Sequence, residues 1–561
     1  MQTRFIRWRV ADCKKIKQAS YVWPWLLIVL ILAGAAAPLK ITKDEIVLPE
    51  ILAIELPSTK MTAIGPTEAP LLQLLQLGTA GAVKITHDRV SPLSVGGTLI
   101  TWTAWTGEPA EKNVRATKSA YVYVLPHGQT PIGVSSNDHA TAGNQAAKVV
   151  RDSSGKVHAA WLDAGRPGRG SRVLYRRGVQ DSATGTVTWE TEAISVSESR
   201  FESSGSYVAI AASDNAIHFV WTPEDSTRYR RLVLSDGDWK FEPIRNTRAS
   251  GHSYENSGNI AVRGDNEIHL ITPSGAYAIS KNGGLAWKVE QLPPVSGMRL
   301  KNPALAVDSA GNAHVAFTGL VRSAPDWSSS KPNHGYWELR YVRRDAAGAW
   351  VDAQNVLAAF SQWSDSTSNW DILADWPAIA VDKKNNIHLV WHGTVNTHIF
   401  GNDEAFYAYR PATADAKWSN WNQPQSLHPM NRAKGEYHSF APSLAVSDTG
   451  DLAVAVVFYD TTDGERLLDY DARIIRNGTL DATPVLLSRL ARDTAAGGKQ
   501  KEALSSWFPV AGPILFRHPN GGLWLDVLTT VAVPEHHKSP HLIVYQGVEL
   551  TNYLRKTPGS R

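Results

Sequence analysis

Apolar and polar positions along this chain fall into a phrase of about ten residues that returns again and again. It reads Val149-Val150-Arg151-Asp152-Ser153-Ser154-Gly155-Lys156-Val157-His158, and later Ile260-Ala261-Val262-Arg263-Gly264-Asp265-Asn266-Glu267-Ile268-His269. It recurs from Leu305 to His314 and from Ile379 to His388, and a version one residue shorter ends at His218. Weaker copies run from Ser91 to Trp102, from Pro442 to Val456 and from Gly512 to Leu525. Each copy is a short apolar run, a polar Asp/Asn/Gly turn and a second apolar run, which predicts a β-hairpin. Downstream of several copies a second hairpin ends in tryptophan, as at Ser235–Trp239, Asp345–Trp350 and Ala414–Trp418. Two such hairpins make a four-stranded antiparallel sheet. A strand-only unit repeated every few tens of residues predicts an all-β ring of such sheets, a β-propeller.

Eight copies predict seven or eight blades, or six if an end copy is decoration. The last copy is followed by one further strand-like run, His541–Tyr545, so its outer strand is expected from Gly81–Thr86, closing the ring and removing both sheet edges. The 21 tryptophans are expected mainly to plug the space between blades. The repeat histidines (His158, His218, His269, His314, His388) occupy equivalent strand positions, and that periodicity makes them packing residues. Asn477-Gly478 reads as a tight hairpin turn before it reads as a glycosylation acceptor.

The ring accounts for residues 81–561, and the rest divides into 1–20, 21–39 and 40–80. Residues 1–20 hold six basic side chains against Asp12, a charge of +5; the whole chain carries +4, so the remainder sums to −1. No basic stripe is left for a phosphate backbone, which argues against a nucleic-acid partner. Residues 21–39 are uncharged and apolar up to Ala37, and the basic segment before them places the amino end in the cytoplasm and the ring outside. Ala35-Ala36-Ala37 resembles a signal-peptidase site, but Pro38 argues against cleavage. The expectation is a membrane anchor with an extracytoplasmic propeller, periplasmic or at the cell surface, with secretion as the alternative. Residues 40–80, broken by Pro49, Pro57, Pro66 and Pro70, read as a linker or stalk with one short helix near Leu71–Leu77. Cys13, the single cysteine, lies in the basic segment, so the exported part has no disulfide. Charged residues at 20% and hydrophobic residues at 43% exclude wholesale disorder.

One turn carries a family likeness. Ser280-Lys281-Asn282-Gly283-Gly284-Leu285-Ala286-Trp287 resembles the Asp-box, Ser-x-Asp-x-Gly-x-Thr-Trp, of sialidases and bacterial neuraminidase-repeat propellers, with Asn for Asp and Ala for Thr. With the repeated Pro-x-apolar-Ala-Val-Asp phrase, the likeness spans about residues 85–547. It implies a propeller in which this box is a structural turn between the third and fourth strands of a blade. A tryptophan-docked quinoprotein propeller is a competing resemblance for Tyr277–Trp287. Sialidase chemistry would further imply three arginines clamping a carboxylate, since the guanidinium fork matches it bidentately, with a Tyr/Glu nucleophile pair and an aspartate acid. The family's first arginine lies two residues before a proline. The matching phrases here are Lys301-Asn302-Pro303, Asp375-Trp376-Pro377 and Phe440-Ala441-Pro442, and none has arginine. The resemblance therefore implies the architecture rather than the sialidase reaction.

Loops that converge on one face of a rigid ring form pockets. Those loops and the inner-strand starts carry the candidate chemistry. Asp371, Asp375 and Glu436 are the candidate catalytic carboxylates, able to act across a sugar as acid and base or nucleophile. Arg322, Trp327, His392, Tyr437, His438, Trp370 and Trp376 are candidate substrate-binding residues, the tryptophans as platforms for pyranose faces. The competing structural reading is turn caps, ion pairs to Arg322 and Arg432, and interblade packing. His252 with Tyr254, and Tyr437 with His438, loosely fit a propeller polysaccharide lyase. Glu535-His536-His537 with His541 has metal-ligand composition but no established spacing, and reads as exposed histidines in a polar loop. No cofactor or metal is expected. The expected partner is a glycan; the alternative is a non-catalytic propeller scaffolding an envelope protein complex.

Overall fold

A computed structural model describes strands at 41–42, 45–46, 51–55, 84–92, 98–105 and 116–125, and residues 129–551 apart from 138–139, 165–169, 182–183, 199–207, 224–225, 250–257, 294–298, 324–334, 357–373, 394–403, 413–420, 429–438, 451, 461–467, 482–484, 488–511, 519–520 and 532–540. The repeated hairpins are the first two strands of seven sheets arranged in a ring. A strand covered by neighbouring sheets on both faces needs apolar side chains on both. Accordingly the second strands Ala216–Trp221 and Ile387–Gly393 are buried along their whole length.

Taking the inner strands in chain order, blade 1 begins with Val149–Arg151, blade 2 with Val208–Ala212, blade 3 with Asn259–Arg263 and blade 4 with Arg299–Val307. Blades 5, 6 and 7 begin with Asp375–Val381, Ser439–Val446 and Ile514–Arg517. Each inner strand touches the next, and the seventh touches the first. Every blade is antiparallel and four-stranded, with short extra edge strands on blades 1, 2 and 6. The protein is thus a seven-bladed β-propeller.

Ring closure differs from expectation. The outer strand of blade 7 is Gln129–Ser135, paired with His541–Glu549. The run 81–86 instead contributes to Lys84–Pro92, which pairs with Thr98–Trp105 in a separate sheet completed by Ala116–Leu125 and, in parallel, Ile51–Glu55. Among the described residues that sheet is hydrogen-bonded to none of the seven blades, so the first weak copy is a hairpin outside the ring. Ile51–Glu55 places a strand within the stretch read as linker. The closing strand carries Pro131 at a register shift, and Gly133 because a Cβ there would stand 2.3 Å from the Trp161 ring. Residues 21–39 and the helix expected near 71–77 lie outside the described residues. Among the described residues no helix is long and apolar enough to cross a membrane.

The repeat histidines and tryptophans form one interblade device. The His158 ring reaches the Tyr175 hydroxyl at 2.7 Å through Nδ1 and the Asp152 carboxylate at 3.2 Å through Nε2. His314 repeats this with Tyr341 at 2.8 Å and Asp308 at 3.2 Å, and His388 with Tyr407 at 3.0 Å and Asp382 at 3.4 Å. His269 uses Tyr277 and Glu267, and His218 uses Tyr229 and the Ser213 hydroxyl. Because a carboxylate can only accept, Nε2 carries the proton wherever an acid is the partner, and the tyrosine donates to Nδ1. Several of these tyrosines then meet a tryptophan of the following blade edge-on: Tyr229 with Trp287, Tyr277 with Trp350 and Tyr341 with Trp421. Such pairs contribute roughly 0.5–1.5 kcal/mol beyond the area they bury.

The junction between blades 7 and 1 is held differently. Arg151 donates Nε and Nη2 to the two Asp526 carboxylate oxygens at 2.5 and 2.8 Å, and Nη1 to Gln180 Oε1 at 2.6 Å and the Gly155 carbonyl at 3.1 Å. The Tyr545 hydroxyl donates to Asp526 at 2.7 Å, and the guanidinium lies over the Phe516 ring. Arginine, aspartate and tyrosine are all buried.

Candidate functional site

The inner strands begin on one face, here termed the upper face, which also carries the loops joining second and third strands. Three consecutive blades start alike. In blades 4, 5 and 6 the phrases Lys301-Asn302-Pro303, Asp375-Trp376-Pro377 and Phe440-Ala441-Pro442 each form a β-bulge against the second strand. The residue before each proline is left-handed, with φ of 53° at Asn302, 49° at Trp376 and 44° at Ala441. Non-glycine residues pay about 1–2 kcal/mol for that conformation, and residues so held concentrate at functional sites.

The bulges gather a charged cluster. Lys301 Nζ lies 2.5 Å from Asp375 Oδ2, Asn302 Nδ2 donates to Asp375 Oδ1 at 2.5 Å, and the Trp376 backbone N–H donates to the same oxygen at 2.9 Å. Burial is the largest influence on Asp375 and would raise its pKa, but the Lys301 charge together with the hydrogen bonds from Lys301 and the Trp376 N–H lowers it, so the group stays an ionised carboxylate. His392 is the cross-strand partner of Asp375, and its Nδ1 accepts the Ala441 backbone N–H at 3.2 Å. Nδ1 is therefore unprotonated and the proton of the neutral ring sits on Nε2. In the same blade Glu404 bonds Ser426, and burial pushes its pKa up. Glu338, at the corresponding position of blade 4, is likewise raised by desolvation although it pairs with Arg340.

The axis below is crossed. The chain between the closing strand and blade 1 runs through Ala140–Lys148 and spans the ring. Asn144 Nδ2 donates to the Trp376 carbonyl of blade 5 at 2.9 Å and the Pro442 carbonyl of blade 6 at 2.6 Å. On other sides Asn259 of blade 3 donates to the Gln145 carbonyl, and Gly512, leading into blade 7, donates to the Ala146 carbonyl. Lys148 is fully buried with its Nζ 3.3 Å from the Ala146 carbonyl, and desolvation lowers its pKa to about 7.

Of the residues singled out in the sequence, Asp375, Trp376 and His392 fall in this cluster: Asp375 and His392 are buried and Trp376 half-buried. Arg322 lies in the second strand of blade 4. Asp371, Glu436, Trp327, Trp370, Tyr437 and His438 lie outside the described residues, as do His252, Tyr254 and Glu535–His537. His541 is not an exposed loop residue: it opens the third strand of blade 7 and is fully buried against Ser135. Among the described residues no three His, Cys, Asp or Glu gather as a metal site. Lys301 and Asn302 were noticed only for what they lack, an arginine. Asn144 carried no signal, since its partners lie more than two hundred residues away.

No family model matches the chain, and no curated protein does. Solved structures resemble the chain at low identity and with TM-scores below 0.5. A polysaccharide lyase of family PL25, ulvan lyase, is 10% identical with a TM-score of 0.44, covering 74% of this chain and 95% of its own. The NanB sialidase from Streptococcus pneumoniae is 11% identical with a TM-score of 0.37, covering 81% and 84%. YCF48, bound to D1 peptide, is 12% identical with a TM-score of 0.34, covering 75% and 97%. Likeness at this level concerns chain architecture alone.

Proposed function

We propose that this propeller binds and hydrolyses a glycan on its upper face, over blades 4–6. The observation that carries the reading is the buried Lys301–Asn302–Asp375–His392 cluster, set among three adjoining strained bulges. Two carboxyl groups of blade 5 sit in environments that push their pKa values apart, Asp375 toward the ionised form and Glu404 toward the protonated one. Such divergence is how acid and base roles are assigned. Asp371 and Glu436, in the segments leading into blades 5 and 6, are the further carboxylates of this reading, and Trp327, Trp370, Trp376, Tyr437 and His438 its sugar platforms and polar contacts. Residues 21–39 tether the chain to a membrane with the propeller on the extracytoplasmic side.

A second reading, a non-catalytic propeller scaffolding an envelope protein complex, is favoured by the crossed axis and by the saturation of Asp375, which already accepts from three donors. The two part in one experiment. The full-length protein is screened on a glycan array and against aryl glycosides, alongside Asp371→Asn, Asp375→Asn and Glu436→Gln. The hydrolase reading expects turnover that falls at least about a hundredfold in a carboxylate variant, the scale of acid–base catalysis. Glycan binding without turnover, or no binding at all, removes it. Products that absorb in the ultraviolet identify a lyase instead.

A further inference from the structure

Asn144 belongs to no loop of blades 4–6, yet a single amide of this residue bridges the bulges of blades 5 and 6. Both of its partners are backbone carbonyls, which only accept, so the amide orientation follows from chemistry: the NH2 group faces them. Each carbonyl is one step from a group that fixes the cluster. Trp376, whose carbonyl is held, donates its own N–H to Asp375. Pro442, whose carbonyl is held, follows Ala441, whose N–H fixes His392 Nδ1. Trp376 and Ala441 are the left-handed residues of these two bulges. A backbone held in so sparsely populated a conformation persists only when its surroundings over-determine it. The third bulge, at Asn302, is tied directly by its side chain to Asp375.

We infer that the cross-axis segment Ala140–Lys148 is the positioning element of the upper-face cluster, and that Asn144 sets the placement of Asp375 and the tautomer of His392. The segment is continuous with the closing strand Gln129–Ser135, so the geometry of the cluster is coupled to ring closure. This rests on the upper-face reading only for its functional consequence; the positioning itself concerns the protein without a ligand.

The test uses the full-length protein carrying ¹⁵N-labelled histidine, with the His392 signals identified by their loss in His392→Gln. In Asn144→Ala the His392 ring nitrogens are expected to move toward their tautomer average, while His158, His218, His269, His314 and His388 keep their shifts. Asn144→Gln, which retains the amide on a longer arm, is expected to restore most of the His392 signature. Asn282→Ala, a comparable polar loss in a blade 3 turn, is expected to leave it unchanged. An unmoved His392 in Asn144→Ala, or a change shared equally by all six histidines, overturns the inference. Should Asn144→Ala fail to fold, Asn144→Leu, which keeps the bulk of the side chain but has no donor for the two carbonyls, carries the same comparison. Glycan affinity, where the wild type shows any, should fall about tenfold in Asn144→Ala. A displaced His392 in a protein whose wild type binds no glycan leaves the positioning role standing and removes the glycan reading.

Discussion

The blade 7–blade 1 junction offers the sharpest energetic test. Replacing Arg151 by methionine keeps most of the aliphatic bulk but deletes the guanidinium and its contact with the Phe516 ring. Asp526, fully buried, then loses two hydrogen bonds and its counter-charge, keeping only the Tyr545 hydroxyl. Burial alone would lower the arginine pKa; the Asp526 charge and hydrogen bond, together with Tyr545, reverse that, which marks a tightly coupled pair. Removing one partner of a buried, hydrogen-bonded pair costs about 3–5 kcal/mol, because the remaining charge is stranded. Replacing both by apolar groups costs far less or nothing. Arg151→Met and Asp526→Leu, singly and together, are compared by urea denaturation at neutral pH. The expected cycle has each single variant destabilised by about 3–5 kcal/mol and the double variant by less than either, a large coupling of opposite sign to the single losses. A single-variant loss under about 1 kcal/mol, or a double variant equal to the sum of its parents, refutes the reasoning.

Acid should unfold the ring through its histidines. Burial lowers the His218 and His269 pKa values to about 4 from an ordinary 6.5, so the unfolded chain binds more protons between those values. The stability they confer is fully present above about pH 6.5 and is lost as pH falls toward 4, on the order of 3 kcal/mol each. Asp152 and Asp308, held near 2 by hydrogen bonds and charge from their histidines despite burial, extend the loss below pH 4. Unfolding free energies that stay flat from pH 7 to 4 would contradict this. Gly284 has φ of 85°, and a Cβ there would stand 2.2 Å from the Tyr229 ring, so Gly284→Ala should cost more than about 2 kcal/mol in thermal or urea unfolding. In the same turn Asn282 Oδ1 accepts from the Ala286 N–H and the Ser280 hydroxyl. Asn282→Asp keeps both bonds with a stronger acceptor and should be neutral or stabilising by up to about 1 kcal/mol, whereas Asn282→Ala should lose about 1 kcal/mol.

The fold was legible because a hairpin is a local object: ten residues suffice to specify two strands and their turn. The histidine and tryptophan positions were legible as packing because they repeat in step with the strands. What the histidines bond was not, since Tyr175 follows its histidine by 17 residues and Tyr341 by 27, as loop lengths vary. The choice between seven and eight blades stayed open in the sequence for a related reason. The hairpin at 84–105 has the right alternation, and nothing local states which sheet it joins. The closing strand escaped notice because Pro131 and Gly133 break its pattern, and both residues answer to blade partners distant in sequence. The same holds for the site. Its loops announced themselves by composition, while the ties that arrange it, from Asn144 and Lys301, join residues 74 to 298 positions apart.

The borrowed outer strand of blade 7 also sets an order of events during synthesis. Gln129–Ser135 leaves the ribosome ahead of every other strand of the ring, and its partner His541–Glu549 follows about 400 residues later. At 5–20 residues per second the wait is roughly 20–80 s. Throughout that interval the nascent wheel has two open rims, each a template for pairing with another chain. The last blade to be made is thus the clasp, and until it arrives Gln129–Ser135 has no partner in the ring.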